Sequence, residues 1–431
     1  VIELKWKVAF YTFGCKVNQY ETQAMREIME RAGFQTVPEG GRADIHIINT
    51  CTVTGISDRK ARKLIRHIHR LHPEALIVVT GCYAERAMRE IESIEGVGLV
   101  LRNREKKEIA DRIAATLGIE ADLPCEGELR IERFDGQTRA MVKVEDGCDS
   151  FCAYCIIPFV RGPVKSRPID EAVAEVERLA QAGHREVIVT GIHLGAYGKD
   201  WGGELSLVDL LREIREVDGI ERIRLSSLEP MDVTDDLIEL MSSDPKFAHH
   251  LHISLQSGSD RILKLMRRNY TAEQFAEIVQ KARAAMPDIG ITTDIIVGFP
   301  GEREEDFRAS YEFVEKMRFS RIHVFRFSPR RGTLAARMPD KVPPSVIKGR
   351  SGEMIALGRR LMCQFAESLV GTRQKVLLEE ENGTGMLSGF TGNYVRAIIE
   401  APPEMKGQIV EILIKDHREE KVIGKVEGYK G

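Results

Sequence analysis

Short runs of apolar and β-branched residues alternate with helical stretches from the start of this chain, and no other feature narrows its fold so far. Residues 7–13, 45–49 and 76–80 read as strands, and helices are expected over about 20–32 and 57–71. Strands separated by helices of this length cannot pair as hairpins. Each crossover returns the chain in the same direction and builds a parallel sheet covered on both faces. Residues 1–118 are therefore expected to form a doubly wound parallel α/β domain, with Gly14, Thr50 and Gly81 marking where each strand hands over to a loop.

A charged stretch over 101–134, holding Pro124, Gly127 and Gly136, reads as a helix followed by a linker. A second series of strands follows at 140–144, 186–190, 222–226, 251–255, 291–297 and 321–327. Six strands with helices between them imply a partial (β/α)6 barrel over 134–369. One intervening helix, 169–182, carries Val173, Val176, Leu179 and Ala180 at helical spacing and stops at Gly183, as a core-facing helix does. Beyond 370 the texture changes to short strands without helices, at 374–378, 394–399, 409–414 and 421–424, so a small antiparallel β-barrel is expected over 370–431. An overall α/β class with three units suits a chain of 431 residues that is 43% apolar.

The 63 basic and 66 acidic side chains nearly cancel, so any nucleic-acid site must be a local patch. Residues 57–72 supply one, with six Arg and Lys against one Asp. From Gly371 onward nine Lys and Arg face ten Asp and Glu, so RNA binding there needs a patch too, with Arg373, Lys375 and Arg396 as candidates. No apolar run approaches the ~18 residues that would span a bilayer, and the N-terminus lacks a signal-peptide core; a cytoplasmic protein with no membrane partner is expected.

Eight cysteines are too sparse for a disulfide scaffold, so their spacing carries the argument. Cys148, Cys152 and Cys155 stand as C-x3-C-x2-C just after the first barrel strand. Three thiolates can hold three irons of a four-iron cluster and leave the fourth open for the amine and carboxylate of a substrate. The alternative is zinc, but structural zinc sites are usually closed by four ligands, and no fourth Cys or His lies close by. Cys15, Cys51 and Cys82 each follow a strand of the first domain. Parallel strands point the same way, so these three loops gather on one sheet edge and can hold a second cluster; buried core cysteines are the plain alternative. Cys125 and Cys363 have no such company and are read as incidental. Arg161 and Arg167, shortly after the cluster loop, are suited to a carboxylate or phosphate, or are simply solvated.

With Tyr154 directly before the last cysteine, this loop resembles that of the radical S-adenosylmethionine superfamily. The resemblance implies that Gly191 and His193, in 191–195, lie near the methionine moiety, and that Ser227, Glu229, Ser254, Gln256, Asp294 and Gly298 line the ribose and adenine. Each also has a plain reading as a loop cap or turn residue. All sit at strand C-terminal ends, where barrel enzymes keep their sites.

Two three-cysteine sets followed by a small β-barrel resemble the methylthiotransferase family over essentially the whole chain, including a C-terminal RNA-binding module of the type called TRAM. What this implies is two 4Fe-4S clusters and S-adenosyl-L-methionine used twice. One molecule methylates a sulfur carried by the cluster of Cys15, Cys51 and Cys82. Another is cleaved at the cluster of Cys148, Cys152 and Cys155, and the resulting 5′-deoxyadenosyl radical removes hydrogen from an unactivated carbon. The loops 14–21, 49–54 and 156–162 look most like the branch acting on tRNA threonylcarbamoyladenosine (t6A), next to the anticodon. The expected partners are then tRNA carrying t6A, a low-potential electron donor and a sulfur donor. Alternatives are isopentenyladenosine tRNA, an aspartate of a small-subunit ribosomal protein, and, without catalysis, a metal-containing RNA-binding protein.

Overall fold

A computed structural model describes residues 6–119, 129–381 and 386–426. Cys125 and the linker residues Pro124 and Gly127 lie outside them. The N-terminal part runs β1 (Lys7–Thr12), α1 (Lys16–Arg31), β2 (Gln35–Val37), β3 (Ile45–Thr50), α2 (Gly55–Leu71), β4 (Leu76–Gly81), α3 (Cys82–Glu92), β5 (Val97–Val100) and α4 (Ile109–Leu117). Its sheet is wholly parallel in the order β2-β1-β3-β4-β5. Every residue of β3 is buried, because helices cover both faces. Met25, Met29, Ile109 and Ile113 of α1 and α4 pack on Val8, Ile45 and Ile47. Ala61, Ile65, Ile68 and Tyr83 of α2 and α3 pack on Tyr11, Ile48 and Val79. The strand order reverses between β1 and β3, so the loops holding Cys15 and Cys51 open at a topological switch point. β2, a three-residue edge strand, escapes sequence reading. α1 begins at Lys16 rather than near residue 20, because the polar Asn18 and Glu21 are buried in a hydrogen-bonded network.

β3 also buries His46 completely, stacked on His72 at 5.1 Å and 3.3 Å from the Tyr11 hydroxyl. Burial, then the neighbouring His72, lowers its pKa to about 4. The unfolded imidazole titrates near 6.5, so between these values only the unfolded state takes up the proton, and stability drains as pH falls through this window. Against His46→Phe, the wild type is expected to lose roughly 3 kcal/mol of relative stability between pH 6.5 and 4. Paired acid-unfolding curves measure this, and a pH-independent gap between the two proteins would remove the assignment.

The central part runs β6 (Arg139–Lys143), β7 (Glu145–Asp146), α5 (Ile157–Arg161), β8 (Lys165–Ser166), α6 (Ile169–Gln181), β9 (Glu186–Thr190), α7 (Leu207–Arg215), β10 (Arg222–Leu225), β11 (Ser227–Leu228), α8 (Asp235–Ser243), β12 (His250–Ile253), α9 (Asp260–Leu265), α10 (Ala272–Ala285), β13 (Gly290–Val297), α11 (Glu304–Met317), β14 (Arg321–Arg326) and α12 (Pro344–Ser368). The strands pair in parallel as β6-β9-β10 and β11-β12-β13-β14. β10 and β11 are one strand interrupted at Ser226, whose N–H still bonds the Val189 carbonyl at 2.9 Å. The result is an open barrel of six strands. α1 packs on its β6 edge: Tyr20 and Ala24 join the core of Met141 and Val142, and the Tyr20 hydroxyl bonds the Leu129 carbonyl at 2.9 Å.

β15 (Arg373–Glu381), β16 (Leu387–Thr391), β17 (Arg396–Glu400), β18 (Ile409–Arg418) and β19 (Lys421–Val426) close a second barrel. Four of its pairings are antiparallel, and β17–β19 is parallel. This barrel seats on the N-terminal ends of the central strands. Glu186 anchors Arg222 and Arg224 at 3.0 and 2.7 Å, and their remaining N–H groups reach carbonyls of Lys375, Phe390, Thr391 and Gly392. Among the described residues no helix is long and apolar enough to cross a membrane.

Candidate active site

The loop of Cys148, Cys152 and Cys155 leaves the barrel at the C-terminal end of β6. Its base is tied by the antiparallel pair β7–β8, in which Glu145 faces Ser166. Gly147 adopts φ +90°, and a Cβ there would lie 1.9 Å from the Pro163 carbonyl oxygen, so only glycine passes. The Cys148 N–H bonds the Gly162 carbonyl at 3.0 Å, and the Ala153 N–H bonds that of Met266 at 2.9 Å. His193 Nδ1 lies 3.7 Å from Cys148 Sγ, and its Nε2 lies 2.8 Å from Asp232 Oδ2. The His193 N–H donates to Glu145 at 2.7 Å. Burial works against charge on His193, but its bonds to Asp232 and Cys148 raise its pKa to about 10. Burial likewise opposes a thiolate at Cys148, yet hydrogen bonds from His193 and Ser150 bring its pKa below the usual value. Arg268 donates to Cys152 Sγ at 3.3 Å and pairs with Glu229. Burial pushes Cys155 up to about 12.

The second thiol set stands at the C-terminal edge of the N-terminal sheet. Gly81 has φ +96°, and a Cβ there would meet the Thr50 carbonyl oxygen at 2.3 Å, so the loops of Cys51 and Cys82 approach as closely as backbone allows. Asn18 clamps the same edge, its Nδ2 donating to Phe13 and Thr50 carbonyls at 2.9 and 3.0 Å. Burial first, then the charges of Cys82 and Cys15, push Cys51 up to about 11. Arg161 reaches the set from the barrel side: Nε lies 3.2 Å from Cys82 Sγ, Nη2 2.8 Å from Asn18 Oδ1, and Nη1 2.5 Å from Glu21 Oε1 and 3.1 Å from Asp146. Lys106 and Lys143 complete the pairing of Glu21. Cys82 packs against Ile156, Ile157 and Val160, just after Cys155, so the loops of the two sets meet at α5.

All six thiols are free, not disulfide-bonded. Among the described residues no three His, Cys, Asp or Glu side chains converge to hold a single metal ion. The thiols of each set feel one another's charge without closing on one point. Arg161, Arg268 and His193 set positive charge and N–H donors against Cys82, Cys152 and Cys148, which favours the thiolate form that a metal requires. Such a donor set fits a thiolate-ligated iron–sulfur cluster better than a closed four-ligand zinc site.

The other residues singled out in the sequence gather unevenly. A Cβ on Gly191 would strike Glu145 Oε2 at 2.5 Å. Ser227 is exposed on β11, beside Glu229. Ser254 is buried, and its carbonyl accepts from Arg268 and the Tyr270 hydroxyl at 3.2 and 2.8 Å. Gln256, at φ +65°, bonds the Asp294 carbonyl through its N–H at 2.8 Å. The Asp294 carboxylate lies 3.4 Å from His252. Tyr154 packs with Ile262, Met266 and Phe299. Gly298 turns toward α12, where a Cβ would meet Ile347 at 2.4 Å. Arg161 and Arg167 are buried in internal pairs with Glu21 and Glu175, so neither is solvated. Sequence reading missed Glu145, Asp232 and Arg268, whose bonds to His193, Cys152 and Glu229 cross between elements far apart in sequence. It also missed a row in the barrel lumen, where His250 and His252 bond Thr292 at 3.1 and 2.9 Å and His252 lies 5.7 Å from the His323 ring. The only advance signal for that row is His250 and His252 at period two in one strand.

A family model described as the Radical SAM superfamily matches residues 142–314, and one described as Uncharacterized protein family UPF0004 matches residues 7–101. The chain is 39% identical over 426 residues to the threonylcarbamoyladenosine tRNA methylthiotransferase MtaB of Bacillus subtilis, covering 94% of this chain and 93% of that protein. It is 40% identical over 422 residues to the protein of the same name from Thermotoga maritima, covering 96% of each. To the tRNA-2-methylthio-N(6)-dimethylallyladenosine synthase of Aquifex aeolicus it is 35% identical over 417 residues, covering 94% of each. Among solved structures, the radical S-adenosylmethionine methyltransferase TsrM from Kitasatospora setae, with cobalamin and a 4Fe-4S cluster bound, is similar at a TM-score of 0.56. That likeness covers 86% of this chain and 96% of that chain at 14% identity, and it is one of fold.

Proposed function

Because this chain belongs to the radical S-adenosylmethionine methylthiotransferase family, we propose that it is a tRNA N6-L-threonylcarbamoyladenosine methylthiotransferase, placing a methylthio group at C2 of t6A next to the anticodon. One observation carries the chemistry: Cys82 lies against the segment following Cys155, which brings the loops of the two three-thiol sets together. The choice of t6A is supported by identities of 39 and 40% to two relatives named for that nucleoside, against 35% to one named for dimethylallyladenosine.

In this reading Cys148, Cys152 and Cys155 hold the cluster that binds and cleaves S-adenosylmethionine, and Cys15, Cys51 and Cys82 hold a second 4Fe-4S cluster that carries the sulfur. The bound cofactors supply low-potential electrons and removal of hydrogen from an unactivated carbon, which general acid–base groups cannot achieve. The residues of the chain bind, orient and shield. His193 and Arg268 offset the charge on Cys148 and Cys152, and Arg161 does so for Cys82. Tyr154 of the cysteine loop, Gly191, Ser227, Glu229, Ser254, Gln256 and Gly298 near strand ends, and Asp294 within β13 line the site for the rest of S-adenosylmethionine. Residues 1–118, 134–369 and 370–431 act as sulfur-carrying, radical-generating and RNA-binding units of a cytoplasmic enzyme served by a low-potential reductant and a sulfur donor.

The test is mass spectrometry of nucleosides from t6A-bearing tRNA after anaerobic incubation with reconstituted protein, S-adenosylmethionine, sulfide and reductant. A methylthio adduct on t6A, absent on isopentenyladenosine tRNA, is expected. An adduct on isopentenyladenosine instead, or none on either RNA while 5′-deoxyadenosine forms, would sink the t6A assignment.

A further inference from the structure

Twelve large apolar side chains are exposed among the described residues, and five of them lie on or beside the loops that carry the thiols: Val53 (51%), Ile56 (58%), Phe151 (49%), Phe159 (61%) and Leu334 (44%). They sit on three segments that touch. The Gly55 N–H bonds Ser328 Oγ at 3.0 Å, and the Ala335 N–H bonds the Ala153 carbonyl at 2.8 Å. The rings of Phe151 and Phe159 meet edge to face at 5.8 Å, which holds both in place with outer faces open. Val53 and Ile56 follow Cys51, and Phe151 and Phe159 flank Cys152 and Cys155, so the exposed apolar side chains stand on the loops that carry the two thiol sets. Apolar surface concentrated this way marks a binding face.

Charge identifies what binds there. From Ile56 the exposed residues Arg59, Lys63, Arg66 and Arg70 continue at steps of three and four along α2, forming one stripe with a cation about every 5 Å. No acidic side chain of the described residues pairs with these four; Arg70 bonds only the ring of His67, at 3.0 Å. Buried acids serve other cations, Asp58 holding Arg86 and Arg330 on the inner side of the helix. An apolar partner would have no use for such a row, whereas a single-stranded nucleic acid needs both parts: ring faces for unstacked bases and a line of cations for phosphates.

We propose that the Phe151–Phe159 rim and the α2 stripe form one track for single-stranded RNA. Bases beside the target nucleoside stack on the two phenylalanines and abut Val53, Ile56 and Leu334, while the backbone follows Arg59, Lys63, Arg66 and Arg70. This rests on the tRNA reading above. The RNA loop is held open by the rim, which presents its neighbouring base to the space between the two thiol sets.

The test uses the reconstituted holoenzyme and an anticodon stem-loop RNA with 2-aminopurine beside the target adenosine. Wild type is expected to bind and quench the probe. Phe159→Ala, at an exposed position and with an unchanged thermal midpoint, is expected to lose the quench and bind roughly tenfold more weakly with the same salt slope. The double change Lys63→Gln, Arg66→Gln is expected to keep the quench at saturation but lower the salt slope by about 1.4, the value for two single-strand phosphate contacts. Wild-type binding and quench in Phe159→Ala would overturn the stacking rim, and an unaltered salt slope in the double variant would overturn the stripe. A wild type that binds no stem-loop RNA at all would refute the tRNA reading itself and the track with it.

Discussion

Replacing Cys152 with alanine is expected to abolish formation of 5′-deoxyadenosine from S-adenosylmethionine, whereas replacing Cys51 is expected to spare that cleavage and abolish methylthio transfer. The two thiols stand in separate sets with separate supports. Cys152 belongs to the barrel loop and takes a hydrogen bond from Arg268 at 3.3 Å. Cys51 belongs to the sheet edge, where Cys82, Cys15 and Arg161 are the charges it feels. A cluster keeps its open iron only while three thiolates hold the other three, so losing one should empty that set alone. Iron content is then expected to fall from about eight to about four per chain in each variant, since a four-iron cluster is lost whole. Anaerobic iron analysis with product chromatography checks both halves. If Cys51→Ala halts cofactor cleavage while Cys152→Ala retains it, the division of labour is wrong.

Arg161→Leu is expected to be the most damaging change outside the cysteines. The guanidinium is almost fully buried and joins both parts of the chain, touching Cys82, Asn18 and Glu21 on one side and Asp146 on the other. Burial alone would raise the Glu21 carboxyl, but Arg161, Lys106 and Lys143 outweigh it and hold its pKa well below the usual carboxylate range. Leucine leaves the buried Glu21 and the partly buried Asp146 short of a partner, at a cost of about 3–5 kcal/mol. Lysine keeps the charge but cannot reproduce the fork of contacts, so Arg161→Lys should fall between. Hydrogen exchange of α1 and α5 amides reads this locally, without requiring the whole chain to unfold in one step. Protection within about 0.5 kcal/mol of wild type in Arg161→Leu would show that the lysines suffice.

The same residue marks where sequence reading ends. Arg161 looked suited to a substrate anion or to solvent, because nothing in its neighbourhood reveals that Glu21, 140 positions earlier, will be buried beside it. Arg268 was invisible for a similar reason: it follows α9 rather than a strand, and its meeting with Cys152 depends on how that loop folds back over the barrel mouth. The six central strands, by contrast, were legible almost residue for residue. β9 occupies 186–190 as expected, and β13 extends its expected run by one residue to Gly290. Burial writes apolar and β-branched residues into every one of these strands, whether as a continuous run in β9 or at every second position in β10 and β12, where Arg and His fill the other face. β16 was missed because Ser388 and Gly389 interrupt its apolar pattern, with Gly389 required where the Leu377 carbonyl would stand 1.7 Å from a Cβ.

The sequence by itself determined what is local or periodic. The alternation of strand and helix makes the sheets parallel, the spacing of Cys148, Cys152 and Cys155 puts three thiols on one loop, and parallel strands deliver Cys15, Cys51 and Cys82 to one edge. Only the tertiary structure decided how those parts face one another. It set Cys82 against Ile156, buried Arg161 between two carboxylates, and seated the terminal barrel on Arg222 and Arg224. It also joined Val53, Phe159 and Leu334 into one rim. The physical reason is that backbone geometry and hydrophobic period act over a few residues, whereas desolvation of a charge and closure of a contact depend on every element brought to the same place.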